Sequence, residues 1–361
     1  MPYPHPEKPV PGAAAFAEDS AEAAMSRAAL LLAINRQLEG PSLRAAGELG
    51  SIDGFPVPAV TATGQRFRLG PPPTPPESMA LRDAAIVERA DLADELFRRP
   101  SAETAARLAN ACLADPDELT RVAAAPLHFS LSVDPRPSIA ILAAGTRSRE
   151  EVVREVAATA LARIAPRHQA LNRLRRGRPS PEGLGEARTT MLIHGTWARA
   201  SEWWQPGGTF HSFLLAWRPD LYGAPDRFEW TGGYSPGARA AAAGQLVDWI
   251  EQHGEDGLSL ITHSHGGNVA FLASWGGPRI GDLIVLSCPV WPEYVPDFPQ
   301  VGRLVSVRVK CDLVILADGG GQRFQDPRVT EIVLPVWFNH SATHTPGVWT
   351  SHDVAAKIDA A

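Results

Sequence analysis

Lysine is almost missing from this chain: only Lys8, Lys310 and Lys357 occur. Arginine and alanine take its place, which reads as compositional bias rather than chemistry. Basic residues number 34 against 40 acidic ones, for a formal net charge of -6. A nucleic-acid-binding surface needs a basic patch, so that class is excluded. Cysteine is scarce too. Cys112, Cys288 and Cys311 are odd in number and widely spaced, which argues against a disulfide framework or a cysteine zinc site. No run approaches the roughly 18 apolar residues of a transmembrane helix. The opening, "MPYPHPEKPVPGAAAFAEDS", has no apolar core of signal-peptide length and turns acidic at Glu18 and Asp19. The expectation is a soluble, cytoplasmic protein with no transmembrane segment. No phosphate loop and no strand followed by GxGxxG occurs, and no cofactor is expected.

What remains is ordinary globular material, 44% hydrophobic and 20% charged. Residues 1–80 read as a partly disordered N-terminal segment. Its first 20 residues are rich in Pro and Ala. A helix is predicted over about 19–38, capped by Asp19 or Ser20 and ended by Gly40-Pro41. "GFPVPAV" and "GPPPTPPES" then predict an extended linker. Residues 81–178 carry apolar positions at helical spacing, as in "DAAIVERADLADELFRR". Within them "ELTRVAAAPL" (118–127) is echoed by "VVREVAATAL" (152–161), about 34 residues on, a period that suggests stacked helix pairs. This stretch resembles HEAT-type helical repeats. "RLRRGRPSPEGLGEA" (173–187) reads as a domain boundary. From 187 to 361 short β-rich runs alternate with helical ones. The strand candidates are "TTMLIHG", "DRFEWTG", "GLSLITHS", "GDLIVLS", "LVSVRVKC" and "TEIVLPVWF". Continuous apolar strands between helices predict a mostly parallel sheet covered on both faces.

In "LSLITHSHGGNVAFLASW" a buried strand stops at Ser264 and a helix begins. A side chain at that junction projects from the C-terminal edge of the sheet, where open α/β folds bind ligands. The turn must be sharp, so small residues are wanted two before and two after. Gly266 fills the second position and Thr262 the first.

Here the sequence resembles the α/β-hydrolase superfamily, of the serine esterase and lipase-like kind, with "THSHGG" as the nucleophile elbow. Thr262 stands where glycine is commonest. A helix N-cap is the plainer use of such a serine. "MLIHGTWA" resembles the oxyanion loop, which implies backbone N–H donors at Thr196 and at His265, the residue after the nucleophile. His194 then belongs to the turn. Trp197, Trp203 and Trp204 line an acyl pocket or serve as ordinary packing. The acid is expected at Asp312, just after a β-branched strand, with Asp318 as the alternative. The histidine is expected at His340, with His344 the alternative and His352 the least favoured. "FEWTGGYSPGARAAAAGQLVDWI" resembles the strand and helix before the elbow. The resemblance covers about 187–361, roughly half the chain.

The expected architecture is therefore an α/β-hydrolase fold preceded by an α-helical, HEAT-like domain. The expected activity is hydrolysis of a carboxylic ester, of a small molecule or a lipid, with no metal. "HSH" and "NHSATH" do not supply three converging zinc ligands. A non-catalytic scaffold built on the helical repeats is the alternative, as is acyl transfer by the same triad. The helical region offers a surface for a protein partner.

Overall fold

The computed structural model describes residues 3–39, 51–61, 64–73, 78–174, 189–223, 227–253 and 257–361. Gly40-Pro41 and most of 173–187 lie outside these residues. The helices are α1 (Ala14–Ala17), α2 (Ala21–Glu39), α3 (Met79–Arg98), α4 (Ala102–Cys112), α5 (Glu118–Leu131), α6 (Arg136–Gly145), α7 (Glu151–Ile164), α8 (Ala170–Leu174), α9 (Thr209–Trp217), α10 (Pro236–His253), α11 (His265–Ser274), α12 (Leu313–Asp318), α13 (Pro346–Ser351) and α14 (Val354–Asp359). The strands are β1 (Ser51–Ile52), β2 (Phe55–Pro56), β3 (Thr190–Ile193), β4 (Leu258–His263), β5 (Ile280–Leu286), β6 (Val301–Lys310) and β7 (Val329–Trp337). Among the described residues no helix is long and apolar enough to cross a membrane.

Two compact units share the chain, each discontinuous in sequence. The first comprises Met1–Leu171, Lys310–Gly319 and Pro335–His340; the second comprises Asn172–Val309, Gly320–Leu334 and Ser341–Ala361.

The first unit is helical. Ser78, Ser101 and Asp117 cap α3, α4 and α5 by accepting the N–H of Leu81, Thr104 and Thr120, which satisfies donors that a helix start leaves open. Alanine lets these helices close. Ala105, Ala109, Ala123, Ala124 and Ala157 are wholly buried. At Gly145 a Cβ would stand 2.7 Å from Val122 Cγ2 and 2.8 Å from Ala157 Cβ, so α5, α6 and α7 meet where no side chain fits. The two echoing segments fall in α5 and α7, both of 14 residues.

The described residues of the N-terminal segment are packed: Ala15 and Phe16 are 1% exposed. Arg27, buried on α2, donates to the carbonyls of Ala15 and Glu18 and to Thr120 Oγ1. Tyr3 donates to Asp117 Oδ2 at 2.6 Å. The Pro-rich stretch is likewise no plain linker, since β1 and β2 pair antiparallel in it and Phe55 is 1% exposed.

The second unit carries most of the sheet, ordered β3-β4-β5-β6-β7; only Lys310 of β6 and Pro335–Trp337 of β7 fall in the first. β3–β4, β4–β5 and β5–β6 are parallel, as continuous apolar strands require. Alternate positions share one face: Met191 and Ile193, Leu258 and Leu260, Leu283 and Val285 join Leu246 and Ile250 of α10 and Val269 and Phe271 of α11 in one core. The described residues of the "DRFEWTG" candidate, 227–232, do not form a strand. Leu221 and Tyr222 take the backbone of Thr190 instead. Residues 228–230 are held by other bonds: Phe228 N–H to Met191 Sδ and Trp230 Nε1 to the His194 carbonyl. Glu229 pairs with Arg199 and Arg227.

Phe16→Ala should test the N-terminal packing. Truncating a buried phenylalanine typically costs about 3–5 kcal/mol, read as a lowered urea midpoint. A change near zero would mean that this segment is not part of the folded unit in solution.

Candidate active site

In the second unit β4 ends at His263 and α11 begins at His265. Ser264 joins them at φ 53° and ψ -132°, a region that a non-glycine residue enters only at a cost on the order of 1–3 kcal/mol. The surroundings hold it there. Ser264 N–H donates to the Leu286 carbonyl at 2.8 Å, and the Ser264 carbonyl accepts from Gly267 N–H at 2.9 Å. A Cβ on Gly266 would lie 2.7 Å from the His194 carbonyl oxygen and 3.0 Å from that of Ile193. One on Gly195 would lie 2.8 Å from Ser264 Cβ. The loop after β3 therefore presses directly on the serine. Thr262 fits where glycine is commonest because Gly267 makes room. A Cβ there would meet Cys288 Sγ at 2.5 Å and Thr262 Oγ1 at 3.3 Å.

The two residues expected to supply oxyanion donors adjoin each other. Thr196 Oγ1 lies 2.9 Å from His265 Nδ1. Tyr234 meets the His265 ring edge-on at 5.5 Å and stacks on Trp197 at 6.3 Å. Trp197 is itself at φ 63°, with its N–H on the Gly232 carbonyl. His194 is a structural member of this loop. It lies between Trp204 and Trp230, at 4.4 and 5.6 Å, and its Nδ1 donates to the Gly195 carbonyl at 2.8 Å. Burial pulls its pKa down to about 4, against the pull of that hydrogen bond and of Glu229, so the ring stays neutral.

The tryptophans divide. Trp204 is core, 1% exposed, with Nε1 on the Ala198 carbonyl. Trp203 stacks on His344 at 4.1 Å. His344 also meets His263 edge-on at 4.6 Å, so His263 and His265 turn to different neighbours. His352 follows α13 as its C-cap. Among the described residues no group of three His, Cys, Asp or Glu is placed to hold a metal ion.

The acid and the favoured histidine lie in the first unit. Asp312 caps α12, with Oδ1 accepting Val314 N–H at 3.0 Å and Ile315 N–H at 3.2 Å. Its other oxygen, Oδ2, accepts His340 Nδ1–H at 2.8 Å. Both side chains are buried. Asp318 closes the helix that Asp312 opens. Backbone bonds tie the two loops, Phe338 N–H to the Lys310 carbonyl and Leu313 N–H to that of Phe338. The N-terminal segment grips both. Asp53 Oδ2 accepts Cys311 N–H at 3.0 Å, the Pro6 carbonyl accepts Trp337 N–H at 2.9 Å, and Phe55 meets Phe338 edge-on at 5.5 Å. Sequence reasoning missed Asp53, Pro6 and Phe55, because nothing local marks a partner so far along the chain. Burial works against a charged His340, but the Asp312 carboxylate, by charge and hydrogen bond, outweighs it, with Glu155 and Glu151 adding to the effect. The His340 pKa is therefore raised.

No family model matches the chain, and no curated protein matches it. Among solved structures it is similar to a hormone-sensitive lipase from a metagenome library. That likeness has 12% identity and a TM-score of 0.29, over 63% of this chain and 98% of the other. So loose a likeness decides nothing about chemistry here.

Two substitutions test the geometry. Gly266→Ala forces a Cβ against carbonyl oxygens and should cost about 1–3 kcal/mol, as overpacking does. An unchanged urea midpoint would contradict the tight turn. Asp312→Asn removes the charge that raises the His340 pKa. A raised histidine pKa adds stability that is complete below its unfolded value of about 6.5 and is lost as pH rises through the folded value. The stability gap between wild type and Asp312→Asn should therefore be widest on the acid side and shrink toward alkaline pH. A gap independent of pH would mean that Asp312 acts only as a helix cap.

Proposed function

We propose that this chain is a serine hydrolase of carboxylic esters. The observation that carries the reading is Ser264, held at positive φ between a buried strand and a helix, with Gly195 against its Cβ. Helix caps need no such strain. Ser264 Oγ attacks the ester carbonyl. His340 Nε2 takes its proton and returns it to the leaving alkoxide; water then hydrolyses the acyl-enzyme with the same histidine as base. Asp312 holds the Nδ1–H tautomer and stabilises the imidazolium. The Thr196 and His265 N–H groups face the developing oxyanion, where losing one donor typically costs about 2.7–4 kcal/mol of barrier. The substrate is a small-molecule or lipid ester, and the setting is the cytoplasm. The helical unit, HEAT-like in its α5–α7 echo, offers a partner surface. Acyl transfer to an acceptor other than water would use the same residues.

Labelling with a fluorophosphonate probe tests this. Wild type should label, and Ser264→Ala should not. In a triad, loss of the serine or the histidine typically costs about 10⁶ in turnover, so His340→Gln should fall by orders of magnitude while His344→Gln stays within about tenfold of wild type, a gap of about 1.4 kcal/mol. The reverse order would move the base to His344. Folded wild type that never labels would leave the scaffold reading in front.

A further inference from the structure

Helix α7 runs beside α12 within the first unit, and the two pack together. Near the end of α7, Arg163 Nη1 donates to the Ala317 carbonyl at 2.9 Å. Ala317 is the last residue but one of α12. Positions three and four apart share a helix face, so Glu155, Thr159 and Arg163 lie in one row along α7. With Arg163 at the C-terminal end of α12, Glu155 falls toward its N-terminal end, where Asp312 is the cap and His340 is bound. Glu155 Oε2 is buried and finds no hydrogen-bond partner among the described residues. Leaving a buried carboxyl oxygen unpaired is costly, and the reading of the second unit gives this one no task.

We propose that Glu155 is a positioning residue of the acid–histidine pair, a third carboxyl group that the helical unit presents to Asp312 and His340 and through which it sets the charge state of the candidate base. This deepens the reading of His340 as the base and rests on it.

The electrostatics give the sign. Burial first, then Glu151 and also Asp312, push the Glu155 carboxyl up to about 8, while His340 and Arg154 pull it down. The His340 pKa is itself raised, from its ordinary value toward that range, so the two groups titrate as an interacting pair. As Glu155 ionises it favours the imidazolium of His340, a form that cannot accept the serine's proton. The groups facing it are Glu151 and Arg154 from its own helix, Asp312 at the start of α12, and His340 after β7. Glutamine at 155 keeps the shape of the neutral acid and removes the titration.

The experiment is an NMR titration of the His340 ring in the full chain, wild type against Glu155→Gln, with His340→Gln to assign the signal. The midpoint of His340 should move to lower pH in Glu155→Gln, and the acid limb of fluorophosphonate labelling should move with it. A midpoint that stays put in a folded Glu155→Gln protein overturns the proposal, even if stability drops, because a packing role alone would not move it. The titration needs no turnover. Wild type that fails to label Ser264 while the His340 midpoint moves would sink the hydrolase reading and leave Glu155 as a group that tunes His340.

Discussion

Asp312 has no exposed surface, and a buried carboxylate must have its charge met by donors. Two backbone N–H groups at the start of α12 and the His340 ring are among them. Because two amides fix one oxygen, the direction of the other is fixed too, and with it the plane in which His340 sits. Much of the first unit serves this point. The loops after β6 and β7 are joined by their own backbone. They bend through positive φ at Cys311 and Phe338, 51° and 70°, a strain that needs outside support. Asp53, Phe55 and Pro6 provide it.

The serine half is built on a different principle. Few bonds reach Ser264; close approach does most of the work. Gly195, Gly266 and Gly267 each sit where a Cβ would strike a neighbour at under 3 Å. The first two let the loop after β3 press on the turn, and the third accommodates Thr262 and Cys288. The strained φ thus persists because the space around it is full, as a close-packed interior allows.

These two principles explain what could be read from sequence. A turn made by glycines is local, so "HGTW" and "THSHGG" were legible within a few residues of themselves. Asp312 and His340 each stand just past a β-branched run, and the structure pairs their side chains. The packing of the N-terminal segment was not legible because its partners are remote. Asp53 binds Cys311 across 258 residues, and Pro-rich composition describes the segment without describing what it packs on. "DRFEWTG" misled in the opposite sense. Its alternation of Phe228 and Trp230 with polar residues is a strand pattern, yet both aromatics enter the core from irregular backbone held by side-chain bonds. Periodicity reports which side chains are buried, and only usually how.

The boundary at 173–187 shows the same limit at larger scale. Composition changes there, from alanine-rich helices to β-rich runs, and the change is real. Yet Lys310–Gly319 and Pro335–His340 belong with the helices that precede it. Contacts, unlike composition, are not ordered along the chain. An acid and a histidine recognised by their place after two strands therefore take their environment from elsewhere, from α7, from the β1–β2 hairpin and from the first residues of the protein. That environment raises the His340 pKa, and it is set by residues far along the chain from the segments that mark the pair.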